Sequence, residues 1–274
     1  MKAAFHNEAT STTVTELMKQ LYYSTAQELK KCKRYTLKSK IQDKDYFSFS
    51  NGKLSRPVNN SLFIVDEQDL LPFWDALTNR QMISIPSDEI TRACYTITIS
   101  FCCNIDLLKI GDQKTPGTYF ECFIGHLLAR HFDLSPSTQL DVLNLDMKSK
   151  LPTDFIFDLG PSKAKFHVPV KTSTRERVVQ VWAHQRVLDG VYGTGRFLGL
   201  LTCLSETKRS TKTDEVTEIC LPDQWLVYQL FIAQLKRIYY LDLPRRYSEL
   251  NAVSSRIHIK QFGEFFHETD ELLL

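Results

Sequence analysis

The sequence predicts an α/β fold: a central mixed β-sheet flanked by helices, with a mostly helical N-terminal subdomain before it. Three observations carry that prediction. From about residue 115 the apolar pattern runs in the order helix, hairpin, helix, strand, strand, helix. Residues 197–204, FLGLLTCL, form a continuous apolar run, as expected for a strand buried on both faces. The composition, 43% hydrophobic and 24% charged with ten glycines and ten prolines in 274 residues, is that of an ordinary globular chain. It excludes collagen-like, wholly disordered and disulfide-scaffold classes.

In chain order, Val14, Leu17, Met18, Leu21 and Tyr22 recur at helical spacing after a Thr-rich start, which predicts an amphipathic helix over 13–33. Residues 30–40, KKCKRYTLKSK, hold six positive charges and no acid. Two uses are open to them: neutralising phosphates, or forming a solvated helix end that favours the dipole. Residues 45–70 read as irregular or strand-like, with a turn at Asn51 and Gly52. LLPFWDAL (70–77) reads as a short helix and TITISFCCNIDLL (96–108) as a strand.

The second half is patterned more sharply. Residues 115–132 predict a helix starting near Thr118, with Phe120, Phe123, Ile124, Leu127 and Leu128 on its apolar side. TDFIFDLG (153–160), a turn over 160–163 and AKFHVPVKTS (164–173) predict a β-hairpin. A helix over 175–190 closes at Gly190. A charged loop (205–215) leads to a strand over 216–222, and Pro222 and Asp223 open a long helix to residue 241. A short strand and a polar helix end the chain. Residues 1–110 are expected to form the N-terminal subdomain and 111–274 the core. They should make one intimate unit, because no Pro/Gly/Ser-rich linker separates them.

Lysine and arginine number 34 against 32 acids, a net charge of +2, so total charge identifies no partner. The seven cysteines form no CxxC pair, and several lie in apolar runs, which points to reduced thiols in a cytosolic protein. No apolar stretch approaches the roughly 20 residues that span a bilayer. His126 and His131 lack the spacing of a helical metal pair and read as structural, as do Trp74, Trp182 and Trp225. Gly193, Gly195 and Gly199 precede a strand and do not suit a phosphate-cradling loop.

In a hairpin the start of one strand lies opposite the end of its partner, which makes Asp154 and Lys171 neighbours at one sheet edge. Glu121 reaches in from the preceding helix, and Arg175, Glu176 and Arg177 follow just beyond. Two carboxylates suit Mg²⁺, and a lysine suits the charge that develops during phosphodiester hydrolysis.

The Gly117-to-Glu121 spacing on a helix, the Thr153-Asp154 pair opening a strand and the lysine after an apolar strand resemble the PD-(D/E)XK nuclease core. KTSTRER (171–177) resembles, within it, the type II restriction endonucleases that cut CCGG, CCNGG and related sites. The resemblance covers about residues 115–265. It implies a restriction-endonuclease-like core with Lys171 catalytic and Asp154 and Glu121 holding Mg²⁺. It also implies Arg175, Glu176 and Arg177 as readers of C·G pairs, arginine to guanine O6/N7 and carboxylate to cytosine N4. Where the core motif places an acid, two residues before the lysine, this chain has Pro169. The displaced acid expected on the next helix is also missing, at His184 and Gln185. Gln185 is the candidate fourth active-site residue, supplying an oxygen ligand, with His184 as its competitor. Asp158 rivals Asp154, because alternation puts it on the same strand face.

The expected protein is then a bacterial, cytoplasmic type II restriction endonuclease. It would cleave double-stranded DNA with Mg²⁺ at a palindrome with a CCGG- or CCNGG-like core, as a homodimer at least on DNA. A cognate DNA methyltransferase would belong to the same system. A non-catalytic DNA-binding protein on a decayed core and a structure-selective repair nuclease are the alternatives.

Overall fold

The computed structural model describes residues 1–144, 147–174 and 178–273, and their side chains apart from those of 143, 144, 147 and 148. The chain opens with α1 (Lys2–Asn7) and α2 (Thr12–Lys30). Ser11 caps α2 by accepting the Thr13 amide at 3.1 Å, and the helix buries Val14, Met18, Tyr22 and Leu29. Only the start of the basic stretch is a helix end, Lys30 closing α2 and Lys31 capping it. Lys33–Ser39 is a strand, β1, antiparallel to β2 (Tyr46–Ser50), which in turn pairs with β3 (Val58–Asn59). The aromatic YFSFS segment of β2 supplies the apolar surface, and the Arg34 guanidinium lies 4.9 Å above the Phe47 ring.

Helix α3 (Leu71–Asn79) carries a proline in its first turn and ends where Arg80 turns left-handed at φ 59°. The strand expected over 96–108 is instead the second half of a helix, α4 (Ser87–Leu108). Asp88 and Glu89 occupy its first turn, and Ile90, Cys94, Ile97, Thr98, Cys102 and Ile105 are all buried. A helix surrounded on every side has no polar stripe, so its Thr and Ile residues imitate a buried strand. Helix α5 (Lys114–Phe132) starts four residues before Thr118, because Asp112 accepts both the Thr115 amide (2.9 Å) and its hydroxyl (2.7 Å).

The predicted hairpin is present. Strand β5 (Met147–Phe157) pairs antiparallel with β6 (Lys165–Val168), with Phe155 opposite Val168 and Phe157 opposite Phe166. It also pairs with β4 (Ser137–Asn144), a strand the sequence pattern did not reveal. Pro169 interrupts the returning strand, which resumes as β7 (Val170–Lys171). Helix α6 (Val178–Tyr192) passes Gly190 and stops at Gly193, whose φ is +94°. Strand β8 (Phe197–Cys203) follows, and the charged loop proves to be a hairpin of β9 (Thr207–Arg209) and β10 (Glu215–Glu218).

The long helix expected to residue 241 ends at Phe231, as α7 (Pro222–Phe231). Gln229 turns the chain there: its amide accepts the Leu235 N–H at 3.1 Å and donates to the Leu235 carbonyl at 2.8 Å. Residues that continued the apolar pattern become β11 (Arg237–Tyr240). Short helices α8 (Arg245–Ser248) and α9 (Leu250–Val253), strand β12 (Ile259–Gln261) and helix α10 (Phe265–Leu272) complete the chain.

The described residues form two mixed sheets flanked by helices. One has the order β12-β11-β8-β6-β5-β4, with β7 also on β8; the other is β3-β2-β1-β10-β9. The N-terminal strands therefore join the C-terminal half through β1 and β10, which run parallel with Lys38 opposite Glu215. Along β8, Leu200 packs in the core beneath α4, α5 and α10, and Leu201 and Cys203 pack on the opposite side with Trp182 and Trp225. That is burial on both faces, as the apolar run foretold. Among the described residues no helix is long and apolar enough to cross a membrane.

Candidate active site

The β5–β6 ladder ends where Pro169 offers no N–H, and a side chain takes over the next hydrogen bond. Asp154 Oδ2 accepts the Val170 amide at 2.8 Å and the Lys171 ammonium at 2.7 Å. The other side of the same segment is held by β8, where the Thr202 amide donates to the Pro169 carbonyl (2.9 Å) and the Leu204 amide to that of Lys171 (3.0 Å). Both charged side chains stay in contact with solvent, at 22% and 29% exposure. Pro169, an apparent departure from the nuclease motif, thus sits where the acid's carboxylate replaces the backbone as a hydrogen-bond partner.

Glu121 approaches from α5. That helix can lie close to the sheet because Gly125, one turn on, has no side chain; a Cβ there would stand 2.6 Å from the Phe155 ring. Burial raises the Glu121 pKa first, the neighbouring Asp154 carboxylate raises it further, and Lys171 opposes both. Glu121 has no hydrogen bond or ion pair among the described residues. His184 on α6 lines the same cleft of about 240 Å³ with Asp154, Lys171, Thr153 and Gln180. Its pKa is lowered by burial, while Asp154 and Lys171 act on it in opposite directions.

Gln185 is not in this group. Its side chain is buried at 1% exposure; Oε1 pairs with His167 Nδ1 at 3.0 Å, and Nε2 donates to Asp189 (3.0 Å) and the Phe197 carbonyl (2.9 Å). All its polar capacity locks α6 onto β6 and β8, and Gly199 leaves the space, since a Cβ there would lie 2.7 Å from Gln185 Oε1. Asp158 is also elsewhere, at the far end of β5, ion-paired with Lys165 at 2.5 Å. Arg175, Glu176 and Arg177 lie outside the described residues.

Comparison with solved structures gives the fold a family. The crystal structure of the type IIP restriction endonuclease Kpn2I superposes with a TM-score of 0.78 at 28% identity, over 93% of this chain and 89% of that one. The fold is that of a type II restriction endonuclease. Restriction endonuclease PspGI, in complex with its substrate DNA, matches at a TM-score of 0.49 and 16% identity, over 76% of this chain and 90% of that one. No family model matches the sequence, and neither does any curated protein.

For a restriction endonuclease the surroundings of the cleft matter as much as its interior. A wider groove of about 860 Å³ is lined by Lys171 and Gln180 together with Arg56, Pro57, Ser205, Thr207, Lys208 and Arg209. Apart from Lys171, none of these residues was singled out from the sequence; a Lys-Arg pair in a charged loop carries no signal until the loop is known to be a hairpin. The stretch 30–40, by contrast, spends its charge locally. Lys30 pairs with Glu67 at 2.7 Å, Lys31 with Glu28 at 2.6 Å, and Lys38 and Lys40 with Glu215 at 3.1 and 2.6 Å. His126 is structural as expected, its ring held between Thr15 (2.8 Å) and the Ala9 carbonyl (2.7 Å).

The donor set fits a divalent metal of the hard type. Asp154 and Glu121 offer only oxygen, and the second is half-buried and unpartnered among the described residues. Thr153 Oγ1, on the cleft wall, is buried without a partner there. Among the described residues no group of three or more His, Cys, Asp or Glu is placed to cage a metal. Magnesium is commonly held by one or two carboxylates with water and phosphate oxygens, so two suffice.

Proposed function

We propose that the protein is a Mg²⁺-dependent type II site-specific deoxyribonuclease that cleaves both strands of a DNA duplex. The single observation that carries the reading is the Asp154–Lys171 pair at 2.7 Å between β5 and β7, with Glu121 acting on it and Lys171 lining a wide groove.

Asp154 and Glu121 would hold the ion. When bound, it supplies charge neutralisation at the scissile phosphate and a more acidic attacking water. Asp154 keeps Lys171 at a fixed distance from the carboxylates, and the Lys171 ammonium is placed to orient the nucleophile and to stabilise charge on the five-coordinate phosphate. Proton transfer to the leaving 3′-oxygen gives 5′-phosphate and 3′-hydroxyl ends. Arg175, Glu176 and Arg177 follow Lys171 closely enough in sequence to meet base edges beside the phosphate being cut, which supports a C·G-containing palindrome with a CCGG- or CCNGG-like core.

A two-fold palindrome calls for a two-fold protein, so the active species would be a homodimer on DNA. The exposed apolar side chains Val227, Leu230 and Phe231 of α7, and Val187 and Val191 of α6, offer surface for it. Residues 1–110 would then support groove wall and dimer, and residues 111–274 the nuclease core. The setting would be a bacterial cytoplasm with a cognate DNA methyltransferase. Digesting plasmid and phage DNA with and without Mg²⁺, then sequencing the ends, tests the reading. A fixed palindromic site is the expected result. Cleavage confined to junctions or flaps would support a repair nuclease, and specific binding without cleavage a decayed core; either contradicts the proposal.

A further inference from the structure

The β7–β8 ladder brings the chain from Lys171 only as far as Thr172, whose carbonyl accepts the Ser205 amide at 3.3 Å. Just beyond, one side chain holds both Ser173 and Thr174. Glu206, at 1% exposure, accepts the Thr174 amide at 2.7 Å and the Thr174 hydroxyl at 2.5 Å on Oε1, and the Ser173 hydroxyl at 2.8 Å on Oε2. A fourth donor, the Tyr240 hydroxyl, reaches Oε1 from β11 at 3.0 Å. Glu206's own carbonyl accepts the Ile219 amide at 2.9 Å, so the residue is fixed at both ends.

Burying a carboxylate is costly, and burial does raise the Glu206 pKa, with these donors pulling it back. A neutral side chain of similar size would satisfy the core without that cost. The carboxylate's particular gain is two oxygens that accept four bonds, three of them from the two residues immediately ahead of Arg175.

We propose that Glu206 is a positioning residue that clamps residues 173–174 and thereby sets where Arg175, Glu176 and Arg177 stand relative to Lys171. This rests on the base-reading role proposed above for those three residues. Bidentate contacts tolerate little displacement, so releasing the clamp should relax sequence discrimination more than it slows the chemistry at Lys171.

The test uses the full-length enzyme with two readouts. The first is hydrogen exchange at the Thr174 amide, which needs no activity. It should be strongly protected in the wild type, released in Glu206→Ala, and largely retained in Glu206→Gln, whose amide oxygen can still take the Oε1 bonds. Unchanged exchange in Glu206→Ala would overturn the clamp. The second is the ratio of cleavage at the wild-type site to cleavage at sites differing by one base pair. That ratio should fall by roughly 10- to 100-fold in Glu206→Ala and less in Thr174→Val, with Glu206→Gln close to wild type.

Tyr240→Phe removes the bond from the same carboxylate to the core and should lower the melting temperature without altering the ratio. If Glu206→Ala and Tyr240→Phe shift melting alike and neither changes the ratio, Glu206 is purely structural and the proposal fails. If Glu206→Ala does not fold, Thr174→Val decides, and a ratio equal to wild type overturns the proposal. A wild-type enzyme that cleaves no DNA refutes the functional reading and the specificity role with it, whereas the exchange data still decide the clamp.

Discussion

The strand β1 and the short strand β7 both carry lysine, yet they use it in opposite ways. Around β1 the stretch 30–40 holds five lysines, and four of them are paired with Glu28, Glu67 or Glu215. Around β7 there is one lysine, and its partner Asp154 lies at the mouth of a groove where a further carboxylate and a histidine converge. The difference is one of topology. A parallel pairing puts Glu215 opposite Lys38 and spends the charge within the sheet. A proline-broken antiparallel ladder leaves Asp154 and Lys171 facing open space. Density of charge along the sequence is therefore a poor guide to a site, and strand register a good one.

The contrast can be broken or sharpened experimentally. The largest effect is expected at Asp154, where Asn keeps an oxygen for the Val170 amide but removes the charge. Asp154→Asn should cut Mg²⁺-dependent cleavage by roughly 10³-fold, the several kcal/mol that a metal's charge stabilisation represents, with the melting curve little changed. Arg175→Ala and Arg177→Ala should each lose about 1–3 kcal/mol of discrimination at a C·G pair in competition binding. Uniform weakening on all sequences, with a shallower salt dependence, would make them phosphate contacts instead.

Buried histidines predict a pH effect, on the helical side and also beneath the cleft, where burial lowers the His167 pKa to about 4. Burial lowers the pKa values of His126 and His131 from 6.5 to about 4. The folded rings stay neutral while the unfolded chain takes up protons below about 6.5. Stability is thus complete above that pH and is lost as pH falls from 6.5 towards 4, with about three more protons bound on unfolding at pH 5 once His167 is included. Melting temperatures across that window should fall steeply, and a flat profile would contradict the neutral, packed assignment. The smallest effect belongs to β1: replacing Lys38 and Lys40 by alanine should change stability by less than about 1 kcal/mol and leave DNA affinity unaltered. A marked loss of affinity would return the basic stretch to the DNA-binding surface.

The parts of this arrangement that sequence could reveal were those governed by local periodicity and turn chemistry. The hairpin carrying Asp154 and Lys171, the helix carrying Glu121 and the doubly buried strand β8 were all legible. Helix α4 was not, because full burial erases the polar stripe that distinguishes a helix from a strand. The end of α7 was hidden because a long-range side-chain turn, Gln229 on Leu235, stops it inside an unbroken apolar pattern. Gln185 and His184 illustrate a finer limit. Adjacent residues on one helix point about 100° apart, so only packing reveals that Gln185 faces the sheet and His184 the cleft. Glu206 escaped for the same reason as β9: its partners lie 32 to 34 residues away across a turn that composition marks only as a charged loop.

One comparison tests the central claim most directly: cleavage and binding of the same duplex by the wild-type protein and by Lys171→Ala, in Mg²⁺. The ammonium beside Asp154 should be indispensable to the chemistry but not to recognition. The variant should bind the cognate duplex with affinity of the same order and cleave it at less than about a thousandth of the wild-type rate. A Lys171→Ala protein that cuts at close to the normal rate would contradict the account.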